Sequence, residues 1–393
     1  MRLIKHIKAS NLLSFGPDGL DLELQDLNVL IGPNGSGKSN FLEVFEVLKS
    51  LPSNEEASNN LPQIITRSGG ILEWCWKGDG NSFTDIYFET FTRNTINPKY
   101  QIQHIFKISV EPWGFGIEEE HLNHMEVQDG SPQPLYSKER STVFQIWNST
   151  KKKLEEQKID TPFDLSILSQ RTNSFPLHSL ALDYEKIRLY REWSFGRNTI
   201  FRTPQRADQR NDRLESDFSN LGMFLYRLRK DPVTKRALIV GLQDLYEGLT
   251  DFEVLTEGGT VQIFFTEGDF SIPATRLSDG SLRYLCLLAI LLDPTPPPLI
   301  CIEEPELGLH PDIMPKIADL LIDASKRTQL VVTTHSDVLI DALSEQPESV
   351  LVCEKHEGQT QIKRLNKEDI AHWLKDYRLG QLWTRGEIGG TRW

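Results

Sequence analysis

The run Gly32-Pro-Asn-Gly-Ser-Gly-Lys-Ser39 places glycines, a lysine and a hydroxyl at the spacing G-x-x-x-x-G-K-[ST]. The spacing has a chemical reason. Glycine lets successive backbone N–H groups turn inward as an anion nest, and a helix starting at Lys38 would aim the positive end of its dipole at a phosphate. Lys38 would reach β- and γ-phosphates, and the Ser39 hydroxyl would ligate Mg²⁺. Pro33, Asn34, Gly35, Ser36, Gly37 and Asn40 complete the nucleotide-facing stretch that Gly32 opens. The expectation is an ATP site with Mg²⁺ as its metal.

Such a loop needs a carboxylate for the metal and a base for water. Pro298-Leu-Ile-Cys-Ile-Glu-Glu-Pro-Glu306 reads as an apolar strand ending in two acids. Side chains alternate along a strand, so Glu303 and Glu304 point differently and can divide the work. Glu303 is expected to hold Mg²⁺ through water, and Glu304 to orient and deprotonate the attacking water. Taken alone, an acidic pair after a strand is an ordinary solvated loop; the phosphate loop upstream gives it a role. Gln329-Leu-Val-Val-Thr-Thr-His335-Ser is a second apolar strand with a polar end. His335 stands at a strand's C-terminal edge, where ligands bind in parallel α/β sheets, and would reach the γ-phosphate or the water.

The elements that must position these residues are partly visible. Leu20-Asp-Leu-Glu-Leu24 alternates as a half-buried strand does, and Leu27 to Ile31 leads straight into the glycine loop. A helix from Lys38 carries Phe41, Leu42, Phe45 and Leu48 on one face. Ile71 to Val110 reads as a β-meander, Glu111 to Pro134 as irregular, and Lys151-Lys-Lys-Leu-Glu-Glu-Gln157 as a short helix. Leu214 to Leu249 has helical spacing at Leu221, Leu225 and Leu228, and Glu257-Gly-Gly marks a hairpin between two strands. The last third alternates strand and helix, the pattern of a parallel α/β core. No heptad run is sustained, so long coiled-coil arms are not expected.

With 393 residues, 38% hydrophobic and 25% charged, the chain is long enough for roughly two or three compact parts, each with a real core. The longest apolar run, Tyr284 to Leu292, falls far short of the ~20 residues that span a bilayer and suits a buried helix. The N-terminal residues lack the apolar stretch of a signal peptide, so a cytoplasmic location and no membrane partner are expected. Cys75, Cys286, Cys301 and Cys353 form no C-x-x-C pair and read as buried free thiols. A net charge of −13 opposes general adhesion to nucleic acid. One local exception exists: Lys186 to Arg213 holds eight Lys/Arg against three Asp/Glu, with Tyr190, Trp193, Phe195 and Phe201 interleaved.

Arg276-Leu-Ser-Asp-Gly-Ser281-Leu-Arg-Tyr, just before the apolar helix, resembles the ABC-type signature L-S-G-G-Q. Ser278, Gly280 and the N–H groups of a helix start make a second anion site. The order of phosphate loop, signature, double-acid strand and histidine matches that of ABC ATPases. Within them the chain is similar to the RecF/SMC-like branch, AAA-type ATP-binding proteins with E-E-P-E and L-H-P motifs, over nearly its whole length.

The resemblance implies an ABC-type head: a mixed or parallel core sheet, an antiparallel β-subdomain and a helical insertion. The expected parts are residues 1–115 with the phosphate loop, 116–250 with a Q-loop and the basic segment, and 251–393 with the signature, acids and histidine. It implies that Ser278, Asp279, Gly280 and Ser281 close on the γ-phosphate held by a second copy of the chain, and that a Q-loop glutamine touches Mg²⁺. Gln170 is the candidate, with Gln63 and Gln145 as competitors. Three departures stand out. Glu303 replaces the usual Asp, Asp279 and Ser281 replace a glycine and the glutamine of the signature, and Gly308-Leu-His-Pro311 lacks the usual aspartate, leaving His310 or Asp312 to make contacts across the dimer.

Two outputs of such a switch are open. One is action on DNA through Lys186 to Arg213, since arginine with interleaved aromatics suits phosphates and unstacked bases; the same arginines would equally cover the nucleotide or brace the second head. The other is control of a partner effector protein such as a nuclease, docked through Leu382 to Gly390 with Trp383 and Trp393, unless that tail packs on its own core. The long insertion and altered signature oppose a transporter subunit.

Overall fold

The computed structural model describes the chain apart from residues 1, 79–84, 95–96, 112–113, 128–129, 140–142, 149–152, 159–161, 171–174, 194–195, 197–198, 200–201 and 392–393. Its chain packs as two units interleaved in sequence. One comprises Arg2–Ile187, Leu351–Arg364 and Gly389–Trp393; the other is essentially Arg188–Val350 with Leu365–Ile388.

The first unit holds the phosphate loop. Strands β1 (Ile4–Ser10), β2 (Leu20–Glu23) and β3 (Leu27–Ile31) open it, followed by α1 (Lys38–Ser50), α2 (Leu61–Arg67) and α3 (Ile71–Trp74). Every residue of β3 is buried, which fits a central strand, whereas β2 alternates buried and exposed. On α1 the expected face is inward: Phe41, Leu42, Phe45 and Leu48 are fully buried, with the Phe41 and Phe45 rings meeting edge to face at 5.2 Å. Strands β4 (Ile86–Arg93), β5 (Tyr100–Glu111), β6 (Gly114–Glu126), β7 (Pro132–Glu139), β8 (Val143–Asn148) and β9 (Lys153–Lys158) join β1 and β2 in one antiparallel sheet of order β2-β1-β4-β5-β6-β7-β8-β9.

Three expectations are corrected here. Ile71 to Trp74 is a short helix, so the meander begins at Ile86. The stretch from Glu111 to Pro134 is mostly strand β6, paired with β5, and the start of β7, paired with β6. The expected helix at Lys151 to Gln157 is strand β9, with Leu154 opposite Trp147 and Glu155 opposite Ile146; Lys151 and Lys152 lie outside the described residues. Helix propensity is a weak prior, and pairing to a neighbouring strand overrides it.

The second unit is the parallel one. Strands β10 (Arg188–Tyr190), β15 (Leu299–Glu303) and β16 (Gln329–Thr333) run parallel; β11 (Gln205–Arg206), β12 (Leu249–Glu257), β13 (Thr260–Glu267) and β14 (Phe270–Pro273) make a small antiparallel sheet around β13. The hairpin expected at Glu257-Gly-Gly is there, with Gly258 and Gly259 both at positive φ and Glu257 paired to Thr260.

Helices α4 (Phe175–Glu185) of the first unit and α5 (Leu221–Leu228), α6 (Pro232–Gln243), α7 (Asp279–Leu291) and α8 (Met314–Ser325) of the second complete the larger elements. The apolar run from Tyr284 lies in α7, whose residues Leu282 to Leu291 are all buried, as a helix apolar on every side must be. A Cβ at Gly241 of α6 would come within 2.6 Å of Leu288, so that glycine lets the two helices close up. The longest helices among the described residues, α1 and α7, have 13 residues each, so there is no coiled-coil arm among them. None of the described helices is long and apolar enough to cross a membrane.

Candidate functional site

The phosphate loop takes its shape from backbone dihedrals. Gly32, Gly35 and Gly37 all have positive φ, at 149°, 80° and 103°. A Cβ at Gly32 would meet the Cys353 carbonyl at 2.3 Å, and one at Gly37 would meet Thr360 Oγ1 at 2.1 Å, so neither position tolerates a side chain. At Gly35 nothing lies within 4 Å, which leaves that side of the loop open. Lys38 is buried and its ammonium donates to the carbonyls of Gly32 (2.8 Å) and Pro33 (3.1 Å).

The strand Gln359–Arg364 supports the loop from below. The Thr360 hydroxyl donates to the Ser36 carbonyl (2.8 Å) and lies 2.7 Å from the Ser14 hydroxyl, to which Asn40 Nδ2 also donates. Thr360 escaped the sequence reading because it lies over three hundred residues downstream. Among the described residues the buried Ser36 hydroxyl has no hydrogen-bond partner. A turned-in ammonium, an open glycine and an orphan hydroxyl at a helix N-terminus fit an oxyanion such as a triphosphate.

The acids and the histidine are brought together in the second unit. Glu303 ends β15, and Arg191 follows β10, whose last residue Tyr190 pairs with Ile302. Arg191 Nε donates to Glu303 Oε2 at 2.9 Å, and Trp193 Nε1 donates to the Glu303 carbonyl at 2.7 Å. Glu304 has φ 47°, a left-handed conformation that costs a non-glycine residue about 1 kcal/mol or more. Two bonds hold it there: its N–H donates to the Thr333 carbonyl at 3.0 Å, and its own carbonyl accepts from Arg283 at 2.8 Å.

The turn sends the Glu304 carboxylate toward His335, whose Nε2 is 3.5 Å from Glu304 Oε1. Both side chains keep about a third of their surface in solvent, at 29% and 35%. Glu306 accepts the His335 N–H at 2.6 Å; burial pushes its carboxyl above the usual range, against the pull of that bond. Arg283 stacks over Trp193 at 4.4 Å from the ring centroid. Sequence reasoning missed Arg191, Trp193 (as a partner of Glu303), Arg283 and Glu306. Only Glu306, third acid of the same run, left a local signal.

The signature lies at the start of α7. The Ser278 hydroxyl caps the helix by accepting the Ser281 N–H at 3.0 Å, and Asp279 is the first helical residue. Ser278 and Asp279 are exposed, Gly280 and Ser281 half-buried. A Cβ at Gly280 would lie 3.1 Å from the Gly308 carbonyl, so the signature glycine permits close approach of the loop that follows the acids. Leu307, His310 and Asp312 of that loop are exposed.

Gln170, in the first unit, follows a 3₁₀ turn over Ile167–Ser169. Glu120 from β6 pins this turn: it accepts the Ile167 N–H at 2.9 Å and the Ser166 hydroxyl, while His104 Nε2 lies 3.1 Å away. Gln63 stands instead in the first turn of α2, and Gln145 in β8.

The basic segment differs from its outline in sequence. Its arginines from Arg202 to Arg213 meet acids: Arg202 with Asp279, Arg206 with Asp208, Arg210 with Asp212 and Arg213 with Glu215. Tyr190 is buried and stacks on Phe218, as Trp193 does at 5.3 Å. Phe195 and Phe201 lie outside the described residues. In the C-terminal stretch, Leu382 and Trp383 are buried in the helix Leu379–Thr384, so they pack on the chain's own core; Trp393 lies outside the described residues.

Solved structures share this fold. The chain is similar to an SMC head bound to the C-winged helix domain of ScpA, at 14% identity and a TM-score of 0.56, covering 93% of this chain and 99% of that one. It is similar to the Pyrococcus furiosus SMC head with an extended coiled coil bound to the C-terminal domain of ScpA (12% identity, TM-score 0.56, 96% and 99% covered). The Pyrococcus yayanosii SMC head with a coiled coil and joint matches at 12% identity and TM-score 0.51, over 96% and 99%. At such identities the likeness is one of fold: a mixed α/β head with an antiparallel sheet. No curated protein matches in sequence. A family model described as "AAA domain, putative AbiEii toxin, Type IV TA system" matches residues 27–97 and 147–341, well over half of the chain, and to that AAA-domain family the protein belongs.

Proposed function

We propose that this protein is an ATP-hydrolysing switch in which two copies pair around two ATP molecules and part after hydrolysis. The observation that carries the reading is the signature: a capped, solvent-facing helix start whose Ser278 is exposed, as a site that receives its phosphate from a second chain has to be. Lys38 binds the β- and γ-phosphates and the N–H groups of Gly32 to Ser39 cradle them. Ser39, Glu303 and Gln170 are the residues that would hold Mg²⁺, which would spread the charge of the phosphoryl oxygens. Glu304, turned out by its left-handed backbone, takes the proton of the attacking water, and His335, 3.5 Å from it, orients the pair against the γ-phosphate.

A protein partner is favoured as the output over DNA. The described arginines from Arg202 to Arg213 already have acids, and Tyr190 and Trp193 are packed inward, so the sequence's basic patch offers little to a phosphate backbone. That an SMC head of similar fold is bound to a ScpA domain supports a protein partner as the output.

The test is steady-state hydrolysis. The protein should turn over Mg²⁺-ATP, Lys38→Ala should lose both binding and turnover, and duplex or single-stranded DNA should leave the rate within about twofold. Salt-sensitive stimulation by DNA that disappears with Arg206→Ala and Arg210→Ala would contradict the choice of partner. Undiminished turnover in Lys38→Ala would contradict the whole reading.

A further inference from the structure

Asp279 raises a charge problem. It is the first residue of α7, beside Ser278, where a γ-phosphate from a second copy is proposed to arrive. An uncompensated carboxylate there would repel that phosphate.

Arg202 answers it. Its Nη2 donates to Asp279 Oδ1 at 2.5 Å, its Nη1 to the Thr275 carbonyl at 2.7 Å, and its Nε to the Gly196 carbonyl at 3.1 Å. The contact joins residues 77 apart in sequence, and the arginine is only 13% exposed while its aspartate is 50% exposed. Arg206 with Asp208 and Arg210 with Asp212 are different: each pairs across two residues on the surface, and such pairs do little. Two carbonyls hold Arg202 in place independently of Asp279. The guanidinium is thus pre-positioned, and the aspartate is the more exposed partner.

We infer that Arg202 is the positioning residue of the signature, cancelling the charge of Asp279 so that the Ser278 end of α7 can accept the γ-phosphate bound by a second copy. The inference rests on the paired-head reading. It also explains why a glycine of the signature can be an aspartate here, and it takes one arginine of the basic segment out of any nucleic-acid surface.

Charge makes the consequences ordered. In the full chain carrying Glu304→Gln, the mass can be followed by light scattering as Mg²⁺-ATP is added, with thermal unfolding as a check on each variant. Arg202→Met leaves Asp279 uncancelled and should raise the ATP concentration needed for pairing about tenfold or more. Asp279→Asn leaves Arg202 uncancelled and should lower it several-fold. The double variant should return close to the parent. A purely structural role for Arg202, through Gly196 and Thr275, gives no such rescue. A double variant as impaired as Arg202→Met overturns this inference alone; a parent that never pairs overturns the paired-head reading and this inference with it. Should Arg202→Met fail to fold, Asp279→Asn carries the test: pairing that needs more ATP than the parent contradicts the inference.

Discussion

The loop at Gly32 to Ser39 and the cluster from Ser278 to His335 are built in opposite ways. The loop draws its geometry from consecutive residues, three of them glycines at positive φ, with Thr360 and Ser14 among its props. The cluster is assembled from distant pairs: Glu303 with Arg191, Asp279 with Arg202, the Glu304 carbonyl with Arg283, the His335 N–H with Glu306. A backbone nest is either present or absent. A set of balanced charges can be tuned, so on the proposed function the cluster would be where hydrolysis and pairing are adjusted while phosphate binding stays constant.

That contrast can be broken in graded steps. Glu304→Gln removes the proposed base and should cut turnover about 10²–10⁴-fold while leaving ATP affinity, the loop's share, near its starting value; equal losses in both would erase the division between loop and cluster. Distant pairing also holds the turn before Gln170, so Glu120→Ala, which strands His104 and two donors in a fully buried site, should cost about 3–5 kcal/mol in urea unfolding. A loss under about 1 kcal/mol would show the tether to be dispensable. Arg191→Met frees the Glu303 carboxylate from its competitor and should lower the Mg²⁺ concentration for half-maximal activity about threefold to tenfold. No change would mean that Glu303 does not serve the metal. Smallest of all, Arg206→Ala with Arg210→Ala removes surface pairs and should leave the unfolding midpoint where it is; a clear drop would show that these pairs matter.

Legibility in the sequence followed the same line. Gly32 to Ser39, the all-buried run inside α7 and the Glu257-Gly-Gly hairpin could be read because each is written in adjacent residues. So could the mixed α/β head as a class. Strands β6 to β9 could not: Glu118-Glu-Glu120 and Leu154-Glu-Glu-Gln157 look like loop or helix, and only pairing with neighbours makes them strands. Arg191 was counted in a basic run, yet the parallel register of β10 and β15 brings it to Glu303. Net charge over a window records residue types and omits partners, so the segment from Lys186 to Arg213 looked like a cationic surface. In the structure most of that charge is spent inside the chain. Glu304 offered no hint of its left-handed backbone, because nothing in Glu-Glu-Pro-Glu demands it until the Thr333 carbonyl and Arg283 are in place.

ATP-driven pairing is the central claim, and the mass of the Glu304→Gln chain in solution tests it most directly. With Mg²⁺-ATP, light scattering should give twice the 45.0 kDa of one chain; without nucleotide, or with Lys38→Ala added, it should give one. A single-chain mass under every condition, or a double mass indifferent to ATP, would contradict the account.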